Sequence, residues 1–464
     1  MPRYEFKSGG SEKFWEIHQE GDQYTVRYGK IGTNGQSQTK TFADEAKAQK
    51  EAEKVTKSKV KKGYVLVAEE AAVDAPAVDP ATGGRNPELE AAIIANYEDE
   101  EAWSVYADWL GTEGDVRGEL INLATQLAKG PNPQIEKRCA EIEEAHLHEW
   151  MGPSLAKIYK KAQGEEEFDF FLKWTWERGF LKEAKVNVPY DWEGPSAVTT
   201  LNQIIQSPGS RFLRSLAFGL LDMGDYEGET NTYLGIQAIT RSGKVPSLRH
   251  LHIGAFEYPD QTEISWTSVG DVDKVYPVFP NLEFLHVQGG GIGLGKLKHA
   301  KLKKLRLETG GLPGDAIKSL MKADLPELEV LEAFFGDRYY GSEGNVEMIQ
   351  PLLDGKVFPK LKSLGLMNSQ FANEIAAALP GSAILKRVEA LDLSLGTLTD
   401  TGARHLVDNA DAFRHLKTIN LDQSFVSNEV CEELQAALSN DVTLHLNSQD
   451  NAEDDDDTYC SVSE

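Results

Sequence analysis

Residues 282–307 read LEFLHVQGGGIGLGKLKHAKLKKLRL and contain two copies of one pattern, L-x-x-L-x-L, which begin at Leu282 and Leu302. Apolar residues two apart in such a copy lie on the same face of a β-strand. The pattern begins again at residues 213, 248, 328, 361, 388 and 416, with a degenerate opening copy at 181. This recurrence predicts a stack of similar units, none of which can bury its apolar face alone.

Amphipathic stretches between the copies predict helices, at residues 315–323, 373–380, 399–407 and 428–438. Strand and helix together resemble the helix-bearing type of leucine-rich repeat, most clearly in Thr399-Asp400-x-Gly402-x-x-x-Leu406. The resemblance implies an α/β solenoid over residues 175–449, whose concave face carries alternate strand residues.

The register of the copies predicts three columns of side chains on that face. The first column is Ser215, His250, Phe284, Lys304, Val330, Ser363, Ala390 and Thr418. The second is Ala217, His252, His286, Arg306, Glu332, Gly365, Asp392 and Asn420. The third is Gly219, Gly254, Gln288, Glu308, Phe334, Met367, Ser394 and Asp422.

Histidine and aromatic residues concentrate in the amino-terminal half of this face, and the connections at 254–279 and 334–345 add further aromatics. Mixed surfaces of this kind favour a protein partner. An alternative that stays open is that the connections bury their aromatics against the repeats. The predicted partner-binding residues are His250, His252, Phe284, His286, Arg306, Phe334, Trp266, Tyr339 and Tyr340.

His250, His252 and His286 would be neighbours in this register, which is a geometry that could hold a metal ion. No Asp, Glu or Cys adjoins them in the same columns, and exposed histidines are common on strands. The sequence therefore predicts no metal site, and it shows no catalytic or cofactor motif.

Residues 1–67 differ in charge from the rest, with 13 Lys and Arg against 9 Asp and Glu. Alternating apolar and polar residues predict three strands, and Thr33-Asn34-Gly35-Gln36 is a strong hairpin turn signal. Asp44 then precedes a long Ala/Glu/Lys helix as its predicted cap. This indicates a small β-sheet with one helix packed against it.

Several separate motifs of this segment stand in a recognisable order: Phe14-Trp15-Glu16-Ile17, Tyr28-Gly29-Lys30-Ile31-Gly32, Gly35-Gln36, Lys40, Phe42 and Lys62-Gly63-Tyr64. With these motifs the segment resembles a WGR domain. In DNA-break-sensing poly(ADP-ribose) polymerases the domain contacts DNA ends through the Trp and Arg of its name, and Tyr28 and Lys30 stand at those positions here. The resemblance implies that Tyr28, Lys30 and Lys40 contact nucleic acid; alternatively they are ordinary hairpin residues, and the lysine-rich helix face is solvated or docks on the acidic remainder.

Residues 68–85 are rich in Ala, Pro and Gly, and their composition predicts a flexible linker. Asn86-Pro87 is a helix start signal, and helical periodicity continues through 86–165. The stretches Tyr106-Ala107-Asp108-Trp109-Leu110 and Gly114-Asp115-Val116-Arg117-Gly118-Glu119 resemble the bacterial repeat-companion domain, which implies a small helical module beside the repeats.

Composition limits the function classes. The chain has 464 residues, 40% of them hydrophobic, and a net charge of −26, which disfavours general nucleic-acid or anionic-lipid binding. Cys139, Cys431 and Cys460 show no disulfide or zinc spacing, and the first residues, MPRYEFKSGG, do not resemble a signal peptide. We expect a cytoplasmic location, and a disordered acidic tail over residues 450–464.

The sequence thus predicts a multidomain protein of bacterial type: an α+β WGR module, a small helical module and an α/β leucine-rich-repeat solenoid. The expected function is that of a non-enzymatic scaffold that binds a protein partner, with the WGR module as a second contact. The alternative is a sensor of DNA ends. An enzyme would require a perturbed acid–base pair in the concave groove.

Overall fold

The computed structural model of the protein forms two compact units, Met1–Asp79 and Pro80–Glu464. Within the described ranges, no helix combines the length and the apolar composition that crossing a bilayer requires. The described residues are 2–8, 11–20, 23–30, 36–42, 44–62, 64–69, 84–162, 172–187, 195–221, 230–241, 243–438, 440–450 and 458–463.

The first unit is an antiparallel sheet with a helix packed on one face. The sheet order is β4-β3-β2-β1-β5, for strands β1 (Pro2–Ser8), β2 (Ser11–Glu20), β3 (Gln23–Lys30), β4 (Gln36–Thr41) and β5 (Val65–Glu69). Helix α1 (Glu45–Lys61) follows Asp44, whose Oδ1 accepts a hydrogen bond from the Lys47 amide at 2.8 Å. The buried core contains Trp15, Ile17, Tyr24, Val26 and Ala52.

The sequence predicted β2, β3, β4, α1 and the Asp44 cap, and the structure confirms them. The predicted turn at Asn34-Gly35 lies outside the described residues. Strand β1 pairs with β5, so that Pro2 lies opposite Glu69. The unit therefore extends past the predicted boundary at residue 67. No local sequence pattern indicated this extension, because the pairing joins segments that are distant in sequence.

The second unit begins with helices. They are α2 (Pro87–Ala95), α3 (Glu100–Thr112), α4 (Arg117–Leu127), α5 (Pro133–Met151) and α6 (Pro153–Ala162). The Asn86 side chain accepts a hydrogen bond from the Leu89 amide at 3.2 Å, and Pro87 is the first helical residue. The predicted helix start is thus confirmed.

A large sheet follows, in which the strand order repeats the chain order. Strands β6 and β7 are antiparallel, and the later strands are parallel to their neighbours. Strands β9, β11 and β13 form a separate small parallel sheet. The strands are β6 (Leu172–Glu177), β7 (Phe180–Val186), β8 (Ser215–Phe218), β9 (Thr230–Asn231), β10 (His250–Ile253), β11 (Thr267–Asp271), β12 (Phe284–Gln288), β13 (Gly290–Gly293), β14 (Lys304–Glu308), β15 (Val330–Gly336), β16 (Ser363–Ser369), β17 (Ala390–Asp392), β18 (Thr418–Asn420) and β19 (Thr443–His445).

Helices lie between these strands and confirm the amphipathic stretches that the sequence singled out. They are α7 (Ala197–Gln206), α8 (Tyr233–Arg241), α9 (Gly314–Leu320), α10 (Gln350–Leu353), α11 (Ala372–Ala378), α12 (Asp400–Asp408), α13 (Ala410–Phe413) and α14 (Asn428–Leu438). Their apolar faces pack with the strand leucines, such as Leu251 and Leu285, in one continuous core. The second unit is therefore a mixed α/β structure with a large parallel sheet.

The opening helices and the sheet share buried contacts. Ile93, Trp103 and Tyr106 pack with Phe180 of β7 and with Phe212 in one aromatic cluster. The segments that the sequence divides into a helical module and a repeat region are thus joined by a common core in this unit.

Residues 458–463 do not form the disordered tail that was predicted over residues 450–464. Cys460 and Val462 are buried, and the Val462 amide donates to Oδ1 of Asn368 at 2.9 Å. Composition alone did not indicate this, because the acidic run that precedes the segment dominates the local pattern. The described end of the chain instead packs on the large sheet.

Candidate functional site

Alternate residues of the parallel strands divide between the two faces of the large sheet. In β10, Leu251 and Ile253 enter the core, whereas His250 and His252 lie on the opposite face. Strand pairing places His250 opposite Phe284 and His252 opposite His286. The strand register pairs the remaining residues of the first two predicted columns in the same way, so these two columns are confirmed.

Two histidines form the centre of this face. The rings of His252 and His286 stack with centroids 3.7 Å apart and an interplanar angle of 11°. Nε2 of His252 lies 3.1 Å from Oε1 of Gln288, and Nε2 of His286 lies 3.0 Å from Oε2 of Glu308. Each ring therefore commits its Nε2 atom to a neighbouring side chain on the same face.

A chain of ion pairs continues from this stack. Arg306 donates from Nε to Glu308 at 2.8 Å and from Nη1 to Glu332 at 3.0 Å. Lys304 donates to the other oxygen of Glu332 at 2.7 Å. Two cations thus balance two carboxylates, and all four side chains are at least partly buried.

Aromatic rings flank the ion pairs. The Lys304 ammonium lies 5.1 Å from the centre of the Phe284 ring, and His250 contacts the same ring edge-on at 6.1 Å. His250 is exposed and Phe284 is half-buried. We call the connected set the strand-face network: His250, His252, Phe284, His286, Gln288, Lys304, Arg306, Glu308 and Glu332.

Burial and charge fix the protonation states within the network. Burial, followed by the neighbouring His286, lowers the pKa of His252 to about 3, and burial also lowers the pKa of His286. Burial opposes ionisation of Glu308, but the hydrogen bond from His286 and the charge of Arg306 outweigh it, so the pKa of Glu308 falls to about 2. At neutral pH the histidines are neutral and the carboxylate is ionised.

His286 and Glu308 are a perturbed acid–base pair of the kind that an enzyme would need, but the pKa shifts move both groups away from neutrality. A general acid or base works best when its pKa lies near the operating pH. The described residues include no group of three or more His, Cys, Asp or Glu that could hold a metal ion. Stacked imidazoles with committed Nε2 atoms are also poorly arranged to chelate one.

The remaining predicted partner-binding residues lie at the ends of the strands. Trp266 and Tyr340 line one cavity of about 250 Å³, and they are joined there by hydroxyls and glycine backbone from Ser265–Ser268, Gly290 and Thr309–Gly311. Trp266 is 55% exposed, and Tyr339, beside Tyr340, is 89% exposed. Trp266 and Tyr339 therefore present ring surface to solvent.

Phe334 differs from the other predicted contact residues. Its side chain is only 1% exposed, it packs with Met367 and Val462, and the Arg306 guanidinium lies 4.8 Å from its ring centre. Phe334 is therefore not a surface contact in this structure, because the C-terminal segment covers it. Among the aromatics of the connections, Phe256 and Tyr276 are buried, whereas Trp266 and Tyr339 are exposed.

Several residues of the site were not singled out by sequence reasoning. The predicted columns contain Gln288, Lys304, Glu308 and Glu332, so their positions on this face follow from the sequence. No pairing among them was predicted. The columns could have indicated it, because a carboxylate and a cation at adjacent positions of parallel strands lie within reach of each other. Asn368, whose side chain binds the backbone of Val462, stands in none of the predicted columns, so no comparable sequence signal identifies it.

The first unit carries its own group of candidate residues. Tyr28 on β3 is 40% exposed, and Lys40 on β4 is exposed. Lys30 lies in β3 with its Cα paired to that of Lys13, but its side chain lies outside the described residues. Tyr28 pairs with Trp15 across the same two strands.

Lysines gather near these aromatics. The Lys59 ammonium lies 5.5 Å from the centre of the Trp15 ring and 4.9 Å from that of Tyr64. Burial lowers the pKa of Lys59, and the charges of Lys62 and Lys13 lower it further. The three lysines therefore form a basic cluster, and a bound anion would relieve its internal repulsion.

Comparison with known proteins locates one family within the chain. Residues 3–71 match the WGR domain family. The uncharacterised protein YfeS of Escherichia coli is 47% identical over 62 residues, and protein YehF of the same organism is 43% identical over 65. These matches cover 13% and 14% of this chain and only 25% and 24% of the two relatives.

Solved structures give weaker similarities. A Bacteroides fragilis protein matches over 100% of this chain and 99% of its own, at 23% identity and a TM-score of 0.48. An internalin from Listeria monocytogenes matches over 58% of this chain and 61% of its own, at 12% identity and a TM-score of 0.26. With both TM-scores below 0.5, neither similarity assigns a fold or a function.

Proposed function

We propose, from the premise that residues 3–71 are a WGR domain, that this chain is a non-enzymatic interaction protein. The strand face of Pro80–Glu464 binds a protein partner, and the WGR domain supplies a second contact. Two contacts on one chain raise the effective concentration at each site without any new interaction. A cytoplasmic location and an absence of catalysis belong to the same proposal.

We further propose that residues 175–449 are a leucine-rich-repeat solenoid, with residues 86–165 as a companion module. The support is the sequential parallel register, in which each L-x-x-L-x-L copy supplies one strand to the sheet. Such an arrangement presents one extended strand face to a partner.

The observation that carries the binding proposal is the strand-face network. Its charges are paired and its side chains are already held by one another, so a partner that hydrogen-bonds to them loses little conformational entropy on binding. Within it, the exposed His250 and the half-buried Phe284 offer ring surface. Aromatic and arginine residues beside a water-excluding patch are frequent binding hot spots.

The test is quantitative capture with the full chain. Phe284→Ala removes the ring between His250 and Lys304 without breaking an ion pair, and Arg404→Ala removes an exposed pair with Glu433 at another part of the unit. We expect a partner identified with the unmodified chain to bind Phe284→Ala at least ten times more weakly, and Arg404→Ala with unchanged affinity. Equal affinity for all three proteins would overturn the proposal for this face.

A second candidate function is binding of nucleic-acid ends by the WGR domain. The favouring observation is the basic cluster of Lys13, Lys59 and Lys62. Lys59 lies over the Trp15 ring, and Trp15 pairs across β2 and β3 with exposed Tyr28. Lysines neutralise phosphates, and an exposed tyrosine stacks on a base or sugar.

Fluorescence polarisation of the full chain with blunt, nicked and single-stranded DNA at two salt concentrations tests this candidate. We expect affinity that decreases with salt and a loss of binding in Tyr28→Ala and Lys59→Glu, with Lys298→Glu in the second unit as the control. Salt-independent binding, or equal losses in all three variants, would count against it.

A further inference from the structure

The C-terminal segment, residues 458–463, is neither helix nor strand, bends at Ser461 and Val462, and alternates in burial. Cys460 is 1% exposed and Val462 is 8% exposed, whereas Tyr459 between the acidic run and Cys460 is 54% exposed. Cys460 and Val462 therefore face the protein, and Tyr459 faces solvent. This is how a short bound peptide presents itself to a groove.

One side chain recognises the backbone of this segment. Oδ1 of Asn368 accepts from the Val462 amide at 2.9 Å, and Nδ2 donates to the Val462 carbonyl at 2.5 Å. Asn368 is fully buried at the end of β16, and its φ of 49° lies in the left-handed region that asparagine tolerates. The Ser461 amide also donates to the Leu395 carbonyl at 2.8 Å. None of these bonds depends on the identity of the bound side chains.

The groove beneath the segment is apolar and separate from the main core. Val462 packs in a cluster with Phe334 of β15, Met367 of β16 and Leu395. Phe256 and Ile264 from the connection after β10 complete the same cluster. The strand face thus holds a hydrophobic groove, and a short apolar side chain fills it.

The groove continues beyond the segment. A Cβ atom at Gly310 would lie 2.3 Å from the Ser463 carbonyl oxygen, so the bound backbone passes directly over this glycine. Gly310 also lines the 250 Å³ cavity that Trp266 and Tyr340 share, and the lining of that cavity includes no charged side chain. A peptide that continued past this point would meet aromatic rings, hydroxyls and backbone amides.

We propose that this groove is a peptide-binding site, that residues 458–463 are its intramolecular ligand, and that a short segment of a partner protein replaces them. The fitting segment carries two small apolar side chains two residues apart, followed by an uncharged residue for the Trp266 cavity. This inference rests on the proposed role of the second unit in protein binding, but it concerns a different patch from the strand-face network.

Cys460 provides a direct measurement of exchange in the full, native chain. We expect alkylation of Cys460, located by mass spectrometry, to proceed at least ten times faster than that of Cys431, because Cys431 belongs to α14 and the main core. Excess peptide TYASVS, in which Ala replaces the cysteine and keeps a small apolar side chain, accelerates the Cys460 reaction further and leaves the Cys431 reaction unchanged. Equal rates for both thiols, or no effect of the peptide, would mean a permanent closure and would overturn the proposal.

Binding in trans is tested with a fluorescent form of the same peptide. The full-chain variant Val462→Asp places a charge in the apolar groove and releases the segment, so it binds the labelled peptide, whereas the unmodified chain binds it at least ten times more weakly. Val105→Asp makes the same change at an exposed valine of α3 and serves as the matched control. Adding Asn368→Ala to Val462→Asp abolishes the binding.

Thermal unfolding of the two single variants shows whether each still folds. If both fold and Val462→Asp binds the peptide no more tightly than the unmodified chain does, the groove proposal is wrong. The strand-face network remains testable through Phe284→Ala, so failure of one proposal is distinguishable from failure of the other.

Discussion

The Nε2 atom of His286 lies 3.0 Å from Oε2 of Glu308, and this contact joins the stacked histidines to the ion pairs of the neighbouring strands. Glu308 is ionised and His286 is neutral, so the ring donates its proton to the carboxylate in a hydrogen bond. The same oxygen accepts from Nε of Arg306. One carboxylate therefore orients both an imidazole and a guanidinium.

The stacked histidines make the second unit sensitive to acid. Burial lowers the pKa of His252 to about 3, whereas the unfolded chain has the ordinary value of 6.5. Between these values the unfolded state binds a proton that the folded state does not, so stability falls as the pH falls. We expect the free energy of unfolding to decrease by about 1.4 kcal/mol per pH unit from His252 alone between about pH 6 and pH 4.

Urea unfolding followed by tryptophan fluorescence across this pH range measures the effect. His252→Gln removes the titrating group and flattens the dependence, whereas His405→Gln changes an exposed histidine of α12 and leaves it as it was. An identical pH dependence in the unmodified chain and in His252→Gln would contradict the assignment.

Arg306 is expected to contribute more to the free energy of unfolding than an exposed ion-pair residue does. Arg306→Ala leaves Glu308 and Glu332, both largely shielded from solvent, without their shared guanidinium and costs about 1–3 kcal/mol of unfolding free energy. Arg306→Lys is also destabilising, because an ammonium cannot reproduce the planar fork that reaches both carboxylates. Arg404→Ala, which breaks an exposed pair, costs less than about 1 kcal/mol. Denaturant midpoints that agree for the Arg306 and Arg404 variants would show that the network adds nothing.

A second group of buried charges joins helix α2 to the segment that precedes strand β8. Glu90 of α2 is buried, receives a two-pronged contact from Arg85, and lies 3.6 Å from buried Arg211. Glu90→Ala is expected to cost about 3–5 kcal/mol, because it removes the carboxylate beside a buried guanidinium. Glu88→Ala, two residues away in the same helix and exposed, is the control and changes stability by less than about 0.5 kcal/mol. Differential scanning calorimetry compares the two, and similar midpoints would refute the expectation.

The cap of α1 gives a prediction for the first unit alone. Asp44→Ala removes the bond to the Lys47 amide and destabilises the helix by about 1 kcal/mol. Asp44→Asn keeps an acceptor at the same place and loses much less. Hydrogen exchange of the amides in the first turn of α1 reports the difference, and equal protection in both variants would exclude a capping role.

The repeated part of the fold was predictable in detail because its signals are local and periodic. The spacing of Leu251, Leu285 and Leu305 fixed which residues face the core, and this determined that His252 lies beside His286. The cap at Asp44 and the start at Asn86 were likewise visible within four residues of sequence.

The contacts between distant segments were not predictable in the same way. The pairing of β1 with β5 and the burial of Phe334 beneath Val462 depend on chain ends that no periodic pattern relates to their partners. The ion pairs of Arg306 were partly predictable. The column register placed the charged residues on one face, but it did not show that Arg306 pairs with both Glu308 and Glu332.

The path of the C-terminal segment changes how the large sheet is expected to come apart. The strands from β16 to β19 pair with their neighbours in chain order, an arrangement that can fray from its last member inward. The bonds between Val462 and Asn368 join residues 94 positions apart and return the chain past β19, β18 and β17. Opening of the terminal strands is thereby coupled to release of this short clasp, so a partner segment that replaces residues 458–463 in the groove also removes a mechanical restraint from that end of the sheet.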